Sequence, residues 1–543
     1  VSITYPGGFS VRDVTILDGY IDEPSCLGVP PYLSPHIRYM YGACRDAGAT
    51  SIDYFTIDQI RAKLKDWAAE QQGRLVVIVC GTPVPGRYLG GRPISIAELT
   101  KLAGFLHDYG VLTYLSGPLA ELGLSVPSIE HYTGEAAALD VYRVLQGPVL
   151  DEPFVASLAR WAILGAEVVL KHPNFPKVVC ELETFRGCLR NQGCTFCSER
   201  LKTVRYVRRV PDIIAEVKIL YEYGIRHFRL GCQPDLLSFG RTGHKLGVKT
   251  ITSLYEGIRH VAPDLKMLHM DNVNPTTVAT HPECKDIIRT IVKHNTPQDV
   301  ASFGLESADP AVLVANNIGT SPRLAQDAIR IINEIGGVRE AGLCKLLPGI
   351  NFLHGLQGET KATYEINLSY LQQIRDQGLL LRRINVRQVR PVGGYTPQKV
   401  DKFRFKQYKQ TINEQINKPM LQQLYPIGTV LEDVIMEASE GPITFGRQLG
   451  SYPIRVGVPG NYPLGTPLTV KIIDHGFRSI TGIRIPFAIN QASLQELESI
   501  PGLGKKRARR IFLNLPIQGP AHLAEVLDPQ APLELLINLI DGY

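Results

Sequence analysis

Short apolar runs that alternate with amphipathic helical stretches can bury both only as a parallel sheet with helices laid across its faces. This alternation fills most of the chain and constrains its fold more than any other feature. In residues 1–150, VTILDGYID, SIDYFTI, RLVVIVCGT and VLTYLSG read as strands, with PHIRYMYGACRDAG and SIAELTKLAGFLHDYG as helices between them. The order predicts an open α/β domain whose ligands sit beyond the carboxyl ends of its strands. Those ends carry Asp18, Gly19 and Tyr20, then Gly81, Thr82 and Pro83, then Ser116 and Gly117.

Residues 170–397 repeat the alternation on a larger scale. VVCELET, RHFRLG, LKMLHMD, ASFGLES, LLPGINFLHG and RRINVRQV are strand candidates, and six such units predict a partial or full (β/α) barrel with its active residues at the strand ends of one face. Residues 398–427 read as a polar helical linker. Residues 428–484 carry turn signals about every eight to ten residues and predict a small all-β barrel. Residues 490–543 begin with a capping box, Ser493 to Glu496, and contain two short helices joined by Pro501, Gly502, Leu503 and Gly504. The chain is therefore an α/β multidomain protein.

At 543 residues the chain exceeds what one core organises, and 44% hydrophobic with 20% charged residues excludes bulk disorder, collagen-like and coiled-coil classes. No apolar run approaches the roughly 18 residues that cross a bilayer. The opening VSITYPGGFSVRD lacks a basic stretch followed by an apolar one, so a cytoplasmic location is the expectation. Ten cysteines are too dilute for a disulfide scaffold. The net charge of +6 suits a polyanionic partner without requiring one.

The most informative segment is ELETFRGCLRNQGCTFCSER, where Cys188, Cys194 and Cys197 stand at C-x5-C-x2-C just after a strand. A structural zinc site takes four ligands, and no fourth Cys or His lies nearby in sequence. Three thiolates suit instead a cubane iron-sulfur cluster with one iron left open. Three reduced cysteines in a loop, or a zinc site completed from elsewhere, are the alternatives.

From Val178 to Pro397 the sequence resembles the radical S-adenosylmethionine (SAM) enzymes. That family usually spaces its cysteines x3 then x2, so the longer first gap here is a departure, and the two extra residues are expected to bulge from the loop. The resemblance implies a 4Fe-4S cluster on Cys188, Cys194 and Cys197 whose open iron chelates SAM, with Phe196 packed near the adenine. It also implies SAM contacts from Gln233, which follows the second barrel strand in place of a more common acidic residue, and from Glu306 in SFGLES, to the ribose or the amine. Asn272 and Asn274 end the third strand, and Arg387 and Gln388 are placed to face a substrate. Each of these polar residues has the alternative role of a strand-end hydrogen bond or helix cap.

The first domain resembles the Rossmann-like cobalamin-binding domain of cobalamin-dependent (class B) radical SAM methyltransferases, and LGVPPYLSPHIRYMYGACRDAG is similar to its start. The corrin is then expected between this domain and the barrel mouth, near Tyr20, Thr82, Pro83, Tyr88 and Gly117. No D-x-H-x-x-G occurs in the chain, so cobalamin is expected base-off, without histidine ligation from that motif. The reaction implied is methylation of an unactivated sp3 carbon, supported by a one-electron donor. The chain looks most like archaeal protein-modifying members, and the α subunit of methyl-coenzyme M reductase, at the α-carbon of a glutamine, is a candidate substrate.

A competing reading comes from the C-terminus. The segment around Gly446 and Arg447 resembles a TRAM domain, an RNA-binding barrel, and GLGKKRARR looks like a helix-hairpin-helix that brings Lys505, Lys506, Arg507, Arg509 and Arg510 to a phosphate. The first is fused to radical SAM methylthiotransferases that act on tRNA, and the two modules together favour nucleic acid. Those enzymes hold a second cluster with three further cysteines, and Cys26, Cys44 and Cys80 supply the number without the family's flanking residues. The non-enzymatic alternative, an RNA-binding assembly factor with a vestigial cluster, has no reason to keep the open triplet of cysteines.

Overall fold

The computed structural model describes residues 12–21, 27–81, 91–123, 125–146 and 153–542, so Cys26, Thr82, Pro83 and Tyr88 lie outside the described residues. Four expected strands of the first domain form where the apolar runs lie: β1 (Asp13–Asp18), β3 (Ser51–Thr56), β4 (Leu75–Val79) and β5 (Leu112–Ser116). With the short β6 (His131–Tyr132) they make a parallel sheet in the order β3-β1-β4-β5-β6. β4 is LVVIV and is buried throughout, as a central strand covered on both faces must be. Val76 and Ile78 point into a core of this domain alone, whereas Val77 and Val79 join the main core shared with the barrel. One face of the first sheet is thus fused to the rest of the molecule.

The fusion is strengthened by two elements. β2 (Tyr32–Leu33) leaves the first sheet and pairs in parallel with Val179 and Cys180 at the edge of the barrel. Helix α1 (Pro35–Asp46) follows it and crosses α2 (Phe154–Leu164) so closely that a Cβ on Gly42 would stand 2.0 Å from the carbonyl oxygen of Trp161, so glycine is required there.

The barrel strands are β7 (Val179–Glu183), β8 (His227–Gly231), β9 (Met267–Met270), β10 (Asp299–Glu306), β11 (Leu346–His354) and β12 (Arg383–Gln388). β9-β8-β7-β2 form one parallel sheet. β10, β11 and β12 form another, entered through the bridge strand Asn272–Val273 that directly continues β9. The two sheets curve into a half-barrel whose helices, such as α3 (Val210–Glu222), lie outside.

The linker is helical over Lys402–Ile412 and Lys418–Leu424. Next come β13 (Val430–Glu440), β14 (Ile443–Arg447), β15 (Arg455–Pro459), β16 (Pro467–His475) and β17 (Ser479–Arg484), which close into a barrel in the order β13-β14-β15-β17-β16. Its β14–β15 loop enters the amino-terminal end of the half-barrel. Tyr32 donates to the carbonyl of Gly450 at 2.5 Å, and the Ser451 N–H donates to His269 Nδ1 at 3.0 Å. The Tyr452 hydroxyl lies 2.9 Å from Asp271 Oδ1 and accepts from Arg229 at 3.1 Å. Helices α4 (Leu494–Ser499) and α5 (Gly504–Leu513) follow, around a small core of their own that includes Ile473 and Ile483 of the barrel. Among the described residues no helix is long and apolar enough to cross a membrane.

Candidate functional site

The loop after β7 carries the three cysteines to the carboxyl ends of the barrel strands. Of the nine cysteines among the described residues, Cys188, Cys194 and Cys197 alone are not buried. The loop is fastened across the mouth to Asn316 and Asn317, which follow the helix Pro310–Ala315. The Thr195 N–H donates to the Asn316 carbonyl at 3.1 Å, and Asn317 Nδ2 donates to the carbonyls of Gln192 and Gly193, both at 3.1 Å. Asn316 is held in turn by the Tyr395 hydroxyl at 2.7 Å and by its own amide donating to the Gln357 carbonyl at 2.8 Å. Phe196 meets Tyr395 edge to face, with ring centroids 6.1 Å apart, and packs with Cys194 against Val312, Leu313 and Leu356.

The donor set suits an iron-sulfur cubane. Burial pushes up the Cys194 thiol, and Arg190 partly offsets this. Burial also pushes up Cys197, and Glu199 and Cys194 push it further. Sulfurs that raise one another in this way become thiolates only when a cationic group takes up their charge. Among the described residues no three His, Cys, Asp or Glu side chains converge tightly enough for a single metal ion.

Inside the mouth a polar ladder crosses three strands. Arg387 Nε donates to Asn385 Oδ1 at 3.2 Å, Asn385 Nδ2 to Asn351 Oδ1 at 3.1 Å, and Asn351 Nδ2 to Ser302 Oγ at 3.2 Å. Glu306 ends β10 at φ 63°, a left-handed backbone that a glutamate adopts only under constraint, after a register break from Phe303. Burial pushes its carboxyl up to about 8, with Arg387 opposing, and Glu306 also acts on both Cys194 and Cys197. Glu306, Arg387 and the cysteine loop are thus gathered at one mouth.

The other expected contacts are more internal. Gln233 is fully buried, accepting from Thr184 Oγ1 at 3.2 Å and donating to the Leu230 carbonyl at 3.0 Å. Asn272 sits half-buried in the bridge strand. Asn274 caps the helix Pro275–Thr280, accepting from the Thr276 N–H at 3.0 Å. Gln388 is exposed at the end of β12. Arg190, Asn316, Asn317, Asn351 and Asn385 were not singled out from the sequence; the lengthened cysteine gap was the one signal that pointed to any of them.

The first domain turns the carboxyl edge of its sheet toward this mouth. The helix Pro118–Glu121 starts just after β5, and Glu121 accepts from Arg186, two residues before Cys188, at 2.8 Å. Glu135 accepts from the N–H groups of Thr203 and Val204, each at 2.8 Å, on the far side of the loop. His36, on α1, lies near Arg186 and Lys202, and burial together with those cations holds its imidazole well below the ordinary histidine range. Tyr20, however, is 2% exposed and bonded through its hydroxyl to Thr56, and Gly117 is buried against the Cys80 backbone. As they stand, these two residues present no surface to a corrin. Cys44 and Cys80 are both fully buried and lie in different cores, so they do not gather for a second cluster.

A family model described as the radical SAM superfamily matches residues 182–366, the stretch from β7 into the helix after β11. An uncharacterized protein of Archaeoglobus fulgidus is 40% identical over 542 residues, covering 96% of this chain and 99% of its own length. An uncharacterized protein of Methanocaldococcus jannaschii is 40% identical over 508 residues, covering 86% and 92%. Among solved structures, the radical SAM methyltransferase TsrM from Kitasatospora setae is 14% identical with a TM-score of 0.47, covering 67% of this chain and 71% of that one. The cobalamin-dependent SAM radical enzyme OxsB is 14% identical with a TM-score of 0.45, covering 74% and 56%. At those identities and scores neither structure bears on the chemistry of this chain. The matched segment contains the whole cysteine loop and most of the half-barrel that carries it, so the chain carries a radical SAM domain there, and, since the two archaeal proteins match over most of its length, it belongs to one family with them.

Proposed function

We propose that this protein is a radical SAM C-methyltransferase that uses cobalamin as methyl carrier and acts on an unactivated sp3 carbon of a protein, with the α subunit of methyl-coenzyme M reductase, at a glutamine α-carbon, as the candidate substrate. The observation that carries this reading is the meeting of two carboxyl edges: the cysteine loop at the mouth of the half-barrel faces the ligand-binding edge of the first sheet, bridged by Arg186 and Glu121. When bound, the 4Fe-4S cluster supplies the electron that splits SAM into methionine and a 5'-deoxyadenosyl radical, and cobalamin supplies the methyl group.

The chain's own residues bind, orient and shield. Cys188, Cys194 and Cys197 hold the cluster, and Phe196 offers an aromatic wall beside it. Glu306, whose carboxyl burial pushes up to about 8, is placed to contact a ligand oxygen or amine, while Arg387 and the asparagine ladder line the mouth deeper in. Tyr452 and its loop close the floor, and the first domain borders the mouth through Glu121 and Arg186, the two sides from which a reactive radical would be shielded from water. The corrin belongs where the two edges meet rather than on Tyr20 or Gly117.

The test is anaerobic reconstitution with iron, sulfide and hydroxocobalamin. The protein should retain the iron of one cubane and a corrin absorption after gel filtration and should cleave SAM under reduction, and each Cys→Ala change at 188, 194 or 197 should abolish iron binding and cleavage together. Retention of iron without corrin counts against the cobalamin assignment. In a deletion strain, methyl-coenzyme M reductase should lack one methyl increment at glutamine.

One observation favours an RNA substrate as the second reading. On α5, Lys505, Lys506, Arg509 and Arg510 are exposed and form no ion pair with a described acidic residue, whereas Arg507 pairs with Asp528 at 2.6 Å. The double change Lys505→Glu, Lys506→Glu should leave turnover of a protein substrate intact and weaken that of an RNA. The methylthiotransferase version of this reading is disfavoured by the separation of Cys44 from Cys80.

A further inference from the structure

The five-residue gap between Cys188 and Cys194 does more than bulge. It carries Arg190, whose NH1 donates to Cys194 Sγ at 3.3 Å and whose NH2 donates to the Asn317 carbonyl at 2.9 Å. The guanidinium is half-buried and forms no ion pair with a described carboxylate, so its charge stands uncompensated beside the sulfur. The opposite wall is shaped to receive it, because a Cβ on Gly319 would lie 2.6 Å from Arg190 Cζ. Fastening the loop does not require this arginine. Asn317 already holds the Gln192 and Gly193 carbonyls, and Asn316 holds Thr195. A planar cation aimed at a ligand sulfur is left over once the loop is secured.

We propose that Arg190 sets the reduction potential of the cluster bound by Cys188, Cys194 and Cys197, its charge and N–H···S hydrogen bond favouring the reduced state. This rests on the cluster reading given above. The couple concerned is the one-electron step from the 2+ to the 1+ cluster, with the electron coming from an external low-potential donor and no proton or bond exchanged. Each electron added raises the negative charge on the thiolate-bound unit, so a fixed positive charge on one sulfur lowers the free energy of the reduced form more than that of the oxidised form. The lengthened gap is thus the stretch that carries this arginine.

The experiment is an EPR-monitored redox titration of the reconstituted full-length protein with dithionite and mediators, alongside iron quantitation. Arg190→Gln should keep its iron but lower the reduced-to-oxidised ratio at fixed ambient potential about tenfold, equivalent to about 59 mV for a one-electron couple. Arg190→Lys, which keeps the charge, should fall by less. Asn317→Ala should lose iron from the loosened loop while the clusters that remain titrate as in the wild type. The proposal is overturned if Arg190→Gln holds full iron with an unchanged midpoint, or if it loses iron as Asn317→Ala does, which would make Arg190 a latch. Wild-type protein that takes up no cubane would instead defeat the cluster reading itself.

Discussion

At the end of β1 the Asp18 carboxylate accepts from the Tyr20 N–H and the Tyr54 hydroxyl, each at 2.9 Å, yet burial outweighs these bonds and pushes its pKa up to about 7. A raised carboxyl is a proton-linked load on the fold, because the unfolded chain gives up that proton near the ordinary value of 3.8 and the folded chain holds it until about 7. Stability should therefore fall as pH rises through this window and level off above it. Asp18→Asn, which keeps the shape, should match the wild type below the window and exceed it by about 1–4 kcal/mol at pH 8 in urea denaturation. A pH-independent difference between the two would refute the assignment. At this scale the sequence was informative where residues lie close together in the chain, as with Cys188, Cys194 and Cys197, which share one partly exposed loop. It was less so where facing mattered: the strand-end rule located Tyr20 and Gly117 correctly along the chain, but only packing turned both inward.

Two buried ionic clusters join elements that lie far apart in sequence. Glu216 on α3 accepts from Arg38 of α1 at 2.8 Å and from Arg208 at 2.6 Å, and although burial favours the neutral acid, these two cations hold its carboxyl below the ordinary range. Arg38→Ala would leave that carboxylate half-paired in the interior and should cost about 3–5 kcal/mol of stability. The second cluster ties Arg229 of β8 to Glu181 of β7 at 2.7 Å, to Asp271, and to Tyr452 of the β14–β15 loop. Tyr452→Phe removes a hydroxyl shared by Arg229 and Asp271 and should cost about 1–3 kcal/mol, read as a lower denaturant midpoint. Equal midpoints would mean that the floor contact is not stabilising. Strand and helix positions here were legible because alternating burial imposes a period on the residues. The placement of β2 was not, because a two-residue strand has no period to read.

In the whole molecule the small β-barrel is part of the catalytic body. Val456, Val458, Val470 and Ile472 belong to the same continuous core as the half-barrel strands, whereas the four helices after residue 489 pack around a separate one. A chain ending at 489 should still unfold cooperatively and bind iron, and one ending at 427 should do neither, as followed by circular dichroism melting and iron analysis. Retention of iron by the shorter chain would show the barrel to be an independent appendage. The sequence by itself determined the classes of element and their order, because periodicity is a property of neighbouring residues. Only the tertiary structure decided that Arg190 reaches Asn317, 127 residues away, and that Tyr452 reaches Arg229, 223 residues away. Contacts across such separations are fixed by strand register and close packing of distant segments, which leave no local pattern in the chain.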